Sequence, residues 1–540
     1  MPDARLSDPG RSAAHLAAAR RLVAEHKLDE AVTAARAAAE ADAANTEAFF
    51  YWGVAAAEAG RFPDAVEPLR IAASRAPRDS FGWRNAASQL ARALSNVGLW
   101  GEAFSVAADL ERLAPQETSI LHRLGAVFTR LGMMDRALPL LERAAEAAPD
   151  RPELMHHLGL AYLSAGRTDE AESLLERAIT LAPQWPEPHL TLAELRRWTD
   201  ASAHLDRLRA LAERLETSPA DRASLGFALA KELDDLGRTA DAWPVLYEAN
   251  EQARSLDPPW SAEDDRALVE ALIARFPKEL PSHRPASGEG PRFARTPIFV
   301  VGLPRSGTTL VERILAAHPE VGSVGEAPSF PLLFHAASAT PDRRQLSAGT
   351  VRGSSAIVWA DLGRKYLAEI AGPAGSSGFV VDKLPFNSLL VGALRAAFPR
   401  SPIVLLDRGP MDNLFSAYRV QFTGSYGWAS RLEDLAEHWS NHRRLMDHWR
   451  ACLGDGLTEV SYEALVGDPE PEIRRLLQAC GLDFDERCLR PHEAEGAVRT
   501  ASIAQVRRPI STASIGGWRR YADQLEPLRA ALAGRGGFLD

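Results

Sequence analysis

Apolar positions recur at helical spacing through the first half of the chain, and after residue 297 short apolar runs take over. The first rhythm predicts amphipathic helices, and the second predicts strands alternating with helices. Within the helical half one pattern repeats. Gly60-Arg-Phe-Pro-Asp-Ala65, Gly98 to Ala103, Gly132 to Ala137 and Gly166 to Ala171 all keep a five-residue Gly-to-Ala interval, and Gly237 to Ala242 repeats it. His26 to Ala31 fits the same frame with His at the glycine position. Successive marks from His26 to Gly166 lie 34, 38, 34 and 34 residues apart, and Pro77, Pro115, Pro149 and Pro183 close successive units. Each mark has a mechanical reason: Gly accepts the positive φ that ends a first helix, Ala lets a second helix approach, and Pro stops that helix.

This helix-turn-helix unit of 34 residues resembles the tetratricopeptide repeat over roughly residues 12–255, degenerate from about Arg196 to Arg222. The resemblance implies an all-α solenoid, since one unit cannot bury its apolar face without neighbours. It also implies a concave surface for a protein partner. An Ala-rich bundle, or repeats that only shield or dimerise an enzyme, remain alternatives.

Residues 276–297 lose the helical pattern and gather Pro277, Pro281, Pro285, Pro291 and Pro297, which reads as a linker. Beyond it, Ile298–Val301, Val321–Val324, Phe379–Val381 and Ile403–Leu406 are predicted strands alternating with helices. The expected fold class is therefore α followed by α/β: a repeat solenoid, then a P-loop-like domain over residues 298–535 with a parallel sheet. Ligands of such sheets bind beyond the carboxyl ends of the strands.

Composition narrows the function. The 540 residues carry a net charge of −10, which gives no overall reason to bind nucleic acid or an anionic membrane. The polar first residues and the lack of a long uncharged apolar stretch predict a cytoplasmic protein without a membrane span. Cys452, Cys480 and Cys488 match neither a zinc nor a redox spacing and are expected as buried, inert thiols.

The first strand runs into Gly302-Leu-Pro304-Arg305-Ser306-Gly307-Thr308-Thr309 and then into a helix, Leu310–Ala317. Strand, glycine loop and helix N-terminus together cradle an anion. Thr308 stands where an ATP- or GTP-hydrolysing loop carries Lys, which weighs against that chemistry. A second segment, Arg408 to Ser416, follows the apolar run Ile403–Leu406, and its ends are eight residues apart. Pro410 suits the first turn of a helix, which puts Ser416 about two turns in.

Together these segments resemble sulfotransferases that use 3′-phosphoadenosine 5′-phosphosulfate (PAPS), and over most of residues 297–530 the tyrosylprotein sulfotransferases and their repeat-fused bacterial relatives in particular. The resemblance implies that Pro304 to Thr309 hold the 5′-phosphosulfate and that Arg408 and Ser416 hold the 3′-phosphate. Glu326, which follows His318-Pro319 and lies 21 residues past Arg305, becomes the general base. Lys383, in Asp382-Lys383-Leu-Pro-Phe386, and Arg305 become the groups that stabilise charge on the transferring sulfuryl, with no metal. Tyr462 would reach the adenine side, and Ser502 would touch the reacting group.

Structural readings stay open beside these, namely Glu326 as a helix-capping or salt-bridging residue and Lys383 as a buried Lys paired structurally to Asp382 or another acid. Two departures stand out: Gly517 replaces the basic residue that relatives commonly carry before the Trp, here Trp518, and Asp407 puts an acid beside Arg408. Either the donor's phosphate loses a contact at Gly517, or Arg519 or Arg520 supplies it, and Asp407 repels the ligand unless it turns away. The implied partners are the nucleotide donor, a hydroxyl acceptor such as a phenol or peptide, and a protein on the repeats. A P-loop nucleotide kinase and a non-catalytic nucleotide-binding scaffold are the competing functions. A chain started near Gly290 is expected to bind the nucleotide by itself.

Overall fold

In the computed structural model, which describes residues 7–199, 203–214, 218–256, 259–277, 295–340, 346–422, 426–494, 496 and 503–536, the repeat turns have the predicted backbone. Gly60, Gly98, Gly132, Gly166 and Gly237 all have φ between 73° and 86°, and His26 takes the same left-handed conformation at 58°. The alanine five residues on is sealed against its neighbours: Ala31, Ala65, Ala103, Ala137 and Ala171 are 0% exposed. A second close approach was not marked by the repeat signature. A Cβ on Gly53 would lie 2.4 Å from Leu69 Cγ, and one on Gly125 would lie 2.5 Å from Leu141 Cγ. The small residue in the first helix makes room for a Leu of the second.

Two compact units result, Met1–Ala161 with Ala368–Pro373, and Tyr162–Leu367 with Ala374–Asp540. The first holds paired helices such as Phe62–Arg75 with Phe81–Asn96 and Thr118–Arg130 with Met134–Ala147. The second contains the later repeat helices, among them Pro186–Glu194, Pro219–Asp235 and Thr239–Arg254, as well as every strand among the described residues. The predicted boundaries near 255 and 276–297 fall inside this second unit. Residues 278–294 of the predicted linker lie outside the described residues, as does Ser502. Phe276, at the linker's start, is a core residue whose ring lies 6.0 Å from that of Trp449.

The sheet has five strands: β1 (Thr296–Gly302), β2 (Val321–Gly325), β3 (Phe379–Lys383), β4 (Ile403–Asp407) and β5 (Thr458–Ser461), in the order β2-β3-β1-β4-β5. All neighbours are parallel. The four predicted strands are present. β5 is an additional edge strand in which only Val460 is buried, too short and too polar to announce itself. One core forms where Val311, Ile314 and Leu315 of the helix Thr308–Ala316 cover Ile298, Val300, Val381 and Val404.

Another core joins Leu225, Phe227, Leu233 and Leu246 of the repeat helices to Leu414, Phe415, Trp428 and Tyr521. Polar contacts follow the same seam. Asn250 Nδ2 donates to the Tyr418 carbonyl at 3.1 Å, and the Tyr521 hydroxyl donates to Asp234 at 2.7 Å. Among the described residues no helix is long and apolar enough to cross a membrane. Cys452, Cys480 and Cys488 are buried, with no disulfide among the described residues.

Candidate functional site

β1 ends in a loop where left-handed residues alternate with ordinary ones: Gly302 (φ 151°), Arg305 (φ 69°) and Gly307 (φ 103°). Such alternation turns successive backbone N–H groups toward one side, and the helix Thr308–Ala316 begins there with Gly307 as its N-cap. The loop is pinned from outside. Asn413 Nδ2 donates to the Pro304 carbonyl at 2.9 Å, and a Cβ on Gly302 would lie 2.8 Å from the Leu406 carbonyl oxygen. Thr308 and Thr309 are buried, and the buried Ser306 Oγ has no hydrogen-bond partner among the described residues. An inward-facing hydroxyl without a partner beside a helix N-terminus is a ready donor to an anion.

Arg305, Arg408, Ser416 and Tyr462, separated in sequence, meet here. Arg305 Nε donates to Ser416 Oγ at 3.1 Å. Arg408 donates to the carbonyls of Arg305 at 2.9 Å and Ser514 at 2.7 Å, and its guanidinium lies 4.5 Å above the Tyr462 ring centre. Tyr462 packs so closely on the loop that a Cβ on Gly307 would lie 2.5 Å from its ring. Burial, then the neighbouring charges of Arg419 and Arg408, pull the Arg305 guanidinium down to about 10. It stays protonated at neutral pH, in a cluster of like charges that an anion would relieve.

The Asp407 side chain is exposed, accepts the Arg408 backbone N–H at 3.1 Å, and lies 3.8 Å from Arg450. The expected substitution for Gly517 by Arg519 or Arg520 is not what the fold provides. Arg520 is held by Asp234 at 3.0 Å, and the Arg519 guanidinium lies over the Trp518 ring. Gly517 itself sits beside Asp412, whose carboxylate accepts the Gly516 N–H at 2.6 Å.

Glu326 follows β2 directly, and Lys383 is the last residue of β3. The fully buried Lys383 contacts the half-exposed Glu326 and lies 3.6 Å from Glu312, which accepts from Ser323 Oγ at 2.7 Å. Asp382 points to the opposite face of β3, as successive strand residues must, so it is not the partner of Lys383. The other structural alternative, a buried Lys383 paired to other acids and a salt-bridged Glu326, is the arrangement present. The Asp382 carboxylate accepts from the Tyr366 hydroxyl at 2.6 Å. Burial pushes the Asp382 carboxyl up to about 7, against the Tyr366 hydrogen bond, which favours the charged form.

A folded value above the ordinary 3.8 means the fold prefers the protonated acid. That contribution to stability is present in full below about pH 4 and is lost as pH rises through about 7. Urea unfolding should show stability falling across that window by up to about 1.4 kcal/mol per pH unit, and Asp382→Asn should flatten the slope. An unchanged slope in the variant would assign the pH dependence to another group.

Glu312, Asn413 and Gln505, which is 3.4 Å from Arg305 Nη2, were not legible as site residues. Only Glu312 carried a signal, one helical turn after Thr308. Several cavities adjoin the loop. One of about 160 Å³ is lined by Arg305, Gly307, Thr309, Arg408, Tyr462 and Ser514. Another of about 620 Å³ reaches from Pro304 past Phe386 to Trp260, Tyr426 and Trp428. An anion cradle, a carboxylate beside a buried ammonium, and an aromatic cleft fit group transfer from an anionic donor.

Residues 297–486 match a model of the sulfotransferase family, and residues 16–80 and 116–184 match models of the tetratricopeptide repeat. A protein of Aquifex aeolicus (strain VF5) is 33% identical over 58% of this chain and 42% of its own length. Protein-tyrosine sulfotransferase 1 of Danio rerio is 26% identical over 41% of this chain and 65% of its own, and protein-tyrosine sulfotransferase 2 of Gallus gallus is 24% identical over 41% and 62%. The chain thus spans less than two thirds of the length of each of these relatives.

Proposed function

We propose that this chain, whose residues 297–486 are a sulfotransferase-family domain accompanied by tetratricopeptide repeats, transfers a sulfuryl group from PAPS to an acceptor hydroxyl. The reading rests on one observation. The Gly302–Thr309 loop, Glu326, Lys383 and Arg408 lie at the carboxyl ends of four adjacent parallel strands, with Ser416 bonded to Arg305 among them.

The loop N–H groups, Ser306, Thr308 and Thr309 hold the donor's 5′-phosphosulfate, Arg408 and Ser416 hold its 3′-phosphate, and Tyr462 borders the adenine. The acceptor oxygen attacks sulfur in line as the bond from sulfur to the bridging phosphate oxygen breaks. Glu326 takes the hydroxyl proton, and 3′,5′-bisphosphoadenosine leaves. Arg305 and Lys383 stabilise the negative charge on the sulfuryl and the leaving phosphate, which is the electrostatic part of catalysis. Ser502 remains a secondary candidate at the reacting group. A phenol suits the walls of the larger cavity, where Trp260, Phe386, Tyr426 and Trp428 offer aromatic faces. Residues 298–535 carry this chemistry, and the repeats over 12–255 recruit a protein, the acceptor included.

Calorimetry tests the donor. Because two phosphate sites are built, 3′,5′-bisphosphoadenosine should bind far more tightly than AMP or ATP, and equal affinity for AMP would sink the assignment. Arg408→Ala should cost the bisphosphate about 1.5–3 kcal/mol, the scale of a charge-assisted hydrogen bond, and leave AMP nearly unchanged.

A further inference from the structure

Beside the donor loop lies a cavity of about 280 Å³ that no motif anticipates. The repeat helices Pro186–Glu194 and Pro219–Asp235 wall one side of it, and the helix Pro410–Tyr418 with the segment around Ser514 walls the other. It shares Arg305, Gln505, Arg508 and Ser514 with the smaller cavity over Gly307 and Tyr462. Ser416 opens into this space and not into the smaller one. A phosphate that reaches Ser416 must therefore enter a chamber partly built from repeats.

The chamber is cationic. Arg196, Arg197, Lys231, Arg305, Arg419 and Arg508 line it against Glu194, Asp234 and Asp235. Two of those acids are committed: Asp234 to Arg419 at 2.7 Å, Arg520 and Tyr521, and Asp235 to Lys231 at 2.6 Å and the Trp198 N–H at 3.0 Å. A small, partly desolvated space with surplus positive charge favours an anion. Lys231 is well placed within it. Its ammonium has three N–H donors; Asp235 and the Arg196 carbonyl take two, which leaves one for the cavity. Burial lowers the pKa of this ammonium, and a nearby dianion would offset that cost.

We propose that Lys231, carried by a repeat helix, is a donor-binding residue that contacts the nucleotide's 3′-phosphate opposite Ser416, so that the repeats complete the donor site. This inference rests on the sulfotransferase reading. Its consequence is that the solenoid's last helices belong to the nucleotide site, whatever its concave face binds.

The test is calorimetry on the full chain with 3′,5′-bisphosphoadenosine and AMP as probes. Lys231→Met should weaken the bisphosphate about tenfold or more while AMP changes less than about twofold, and Lys231→Arg should restore most of the difference. If Lys231→Met melts early, Lys231→Gln removes the charge while keeping hydrogen-bonding capacity, and it should show the same contrast. Equal losses for both nucleotides, or no loss for either, would overturn the contact while leaving the reading intact, provided the unaltered chain prefers the bisphosphate. An unaltered chain that does not distinguish the two nucleotides would instead remove the 3′-phosphate site, and with it both ideas.

Discussion

Glu326→Gln should lower turnover by about 10² to 10⁴ while 3′,5′-bisphosphoadenosine binds as to the unaltered chain. The carboxylate lies just past β2, half exposed, in contact with the buried Lys383. Its neighbour therefore orients it, while its open side faces solvent. Gln keeps the shape and one hydrogen-bonding oxygen but cannot take a proton. The loss should fall on the chemical step, and donor contacts through the loop, Arg408 and Ser416 should not notice it. Single-turnover rates with labelled donor and a small phenol check this. A variant with full activity would move the base elsewhere, and one that also loses donor affinity would show that Glu326 acts by holding Lys383 in place.

The second large effect concerns where the chain can be cut. The linker-like composition of 276–297 suggests that a chain started near Gly290 should bind nucleotide unaided, and the packing reverses that expectation. Removing the repeat helices of the second unit uncovers Met411, Phe415, Tyr418 and Trp428, which are each 2% exposed or less. At about 1.5–3 kcal/mol for each large apolar side chain, four such exposures cost about 6–12 kcal/mol. That rivals the entire net stability of an ordinary domain. It would also remove Lys231 and leave Arg419 without Asp234. The Gly290 chain should be insoluble or fail to bind the bisphosphate, whereas one started at Pro152, ahead of the second unit, should fold and bind. Circular dichroism and calorimetry on the two decide it. A soluble Gly290 chain with full affinity would defeat both the shared core and the Lys231 contact.

Features that depend on local backbone rules could be read from the chain directly. A glycine or His26 at a left-handed turn, an alanine where two helices touch, four apolar strands, and a loop that turns N–H groups inward are each properties of a few consecutive residues, and all are present at the expected positions. Candidates at strand ends were legible for the same reason, because a parallel sheet brings its carboxyl ends together whatever lies between them.

Tertiary structure decided the rest, because the remaining contacts join residues far apart in the chain. That Lys383 meets Glu326 and Glu312, and Asp382 meets Tyr366, follows from which face of β3 each side chain takes and what covers that face. That Asp407 turns to Arg450, and that Asp234 claims Arg520, no spacing could show. Above all, Pro-rich composition marks a change of local conformation and says nothing of what packs across it. Leu225, Phe227 and Leu246 are ordinary helix-face residues in sequence, and only the fold sets them against Phe415 and Trp428, making repeats and sheet domain share one core.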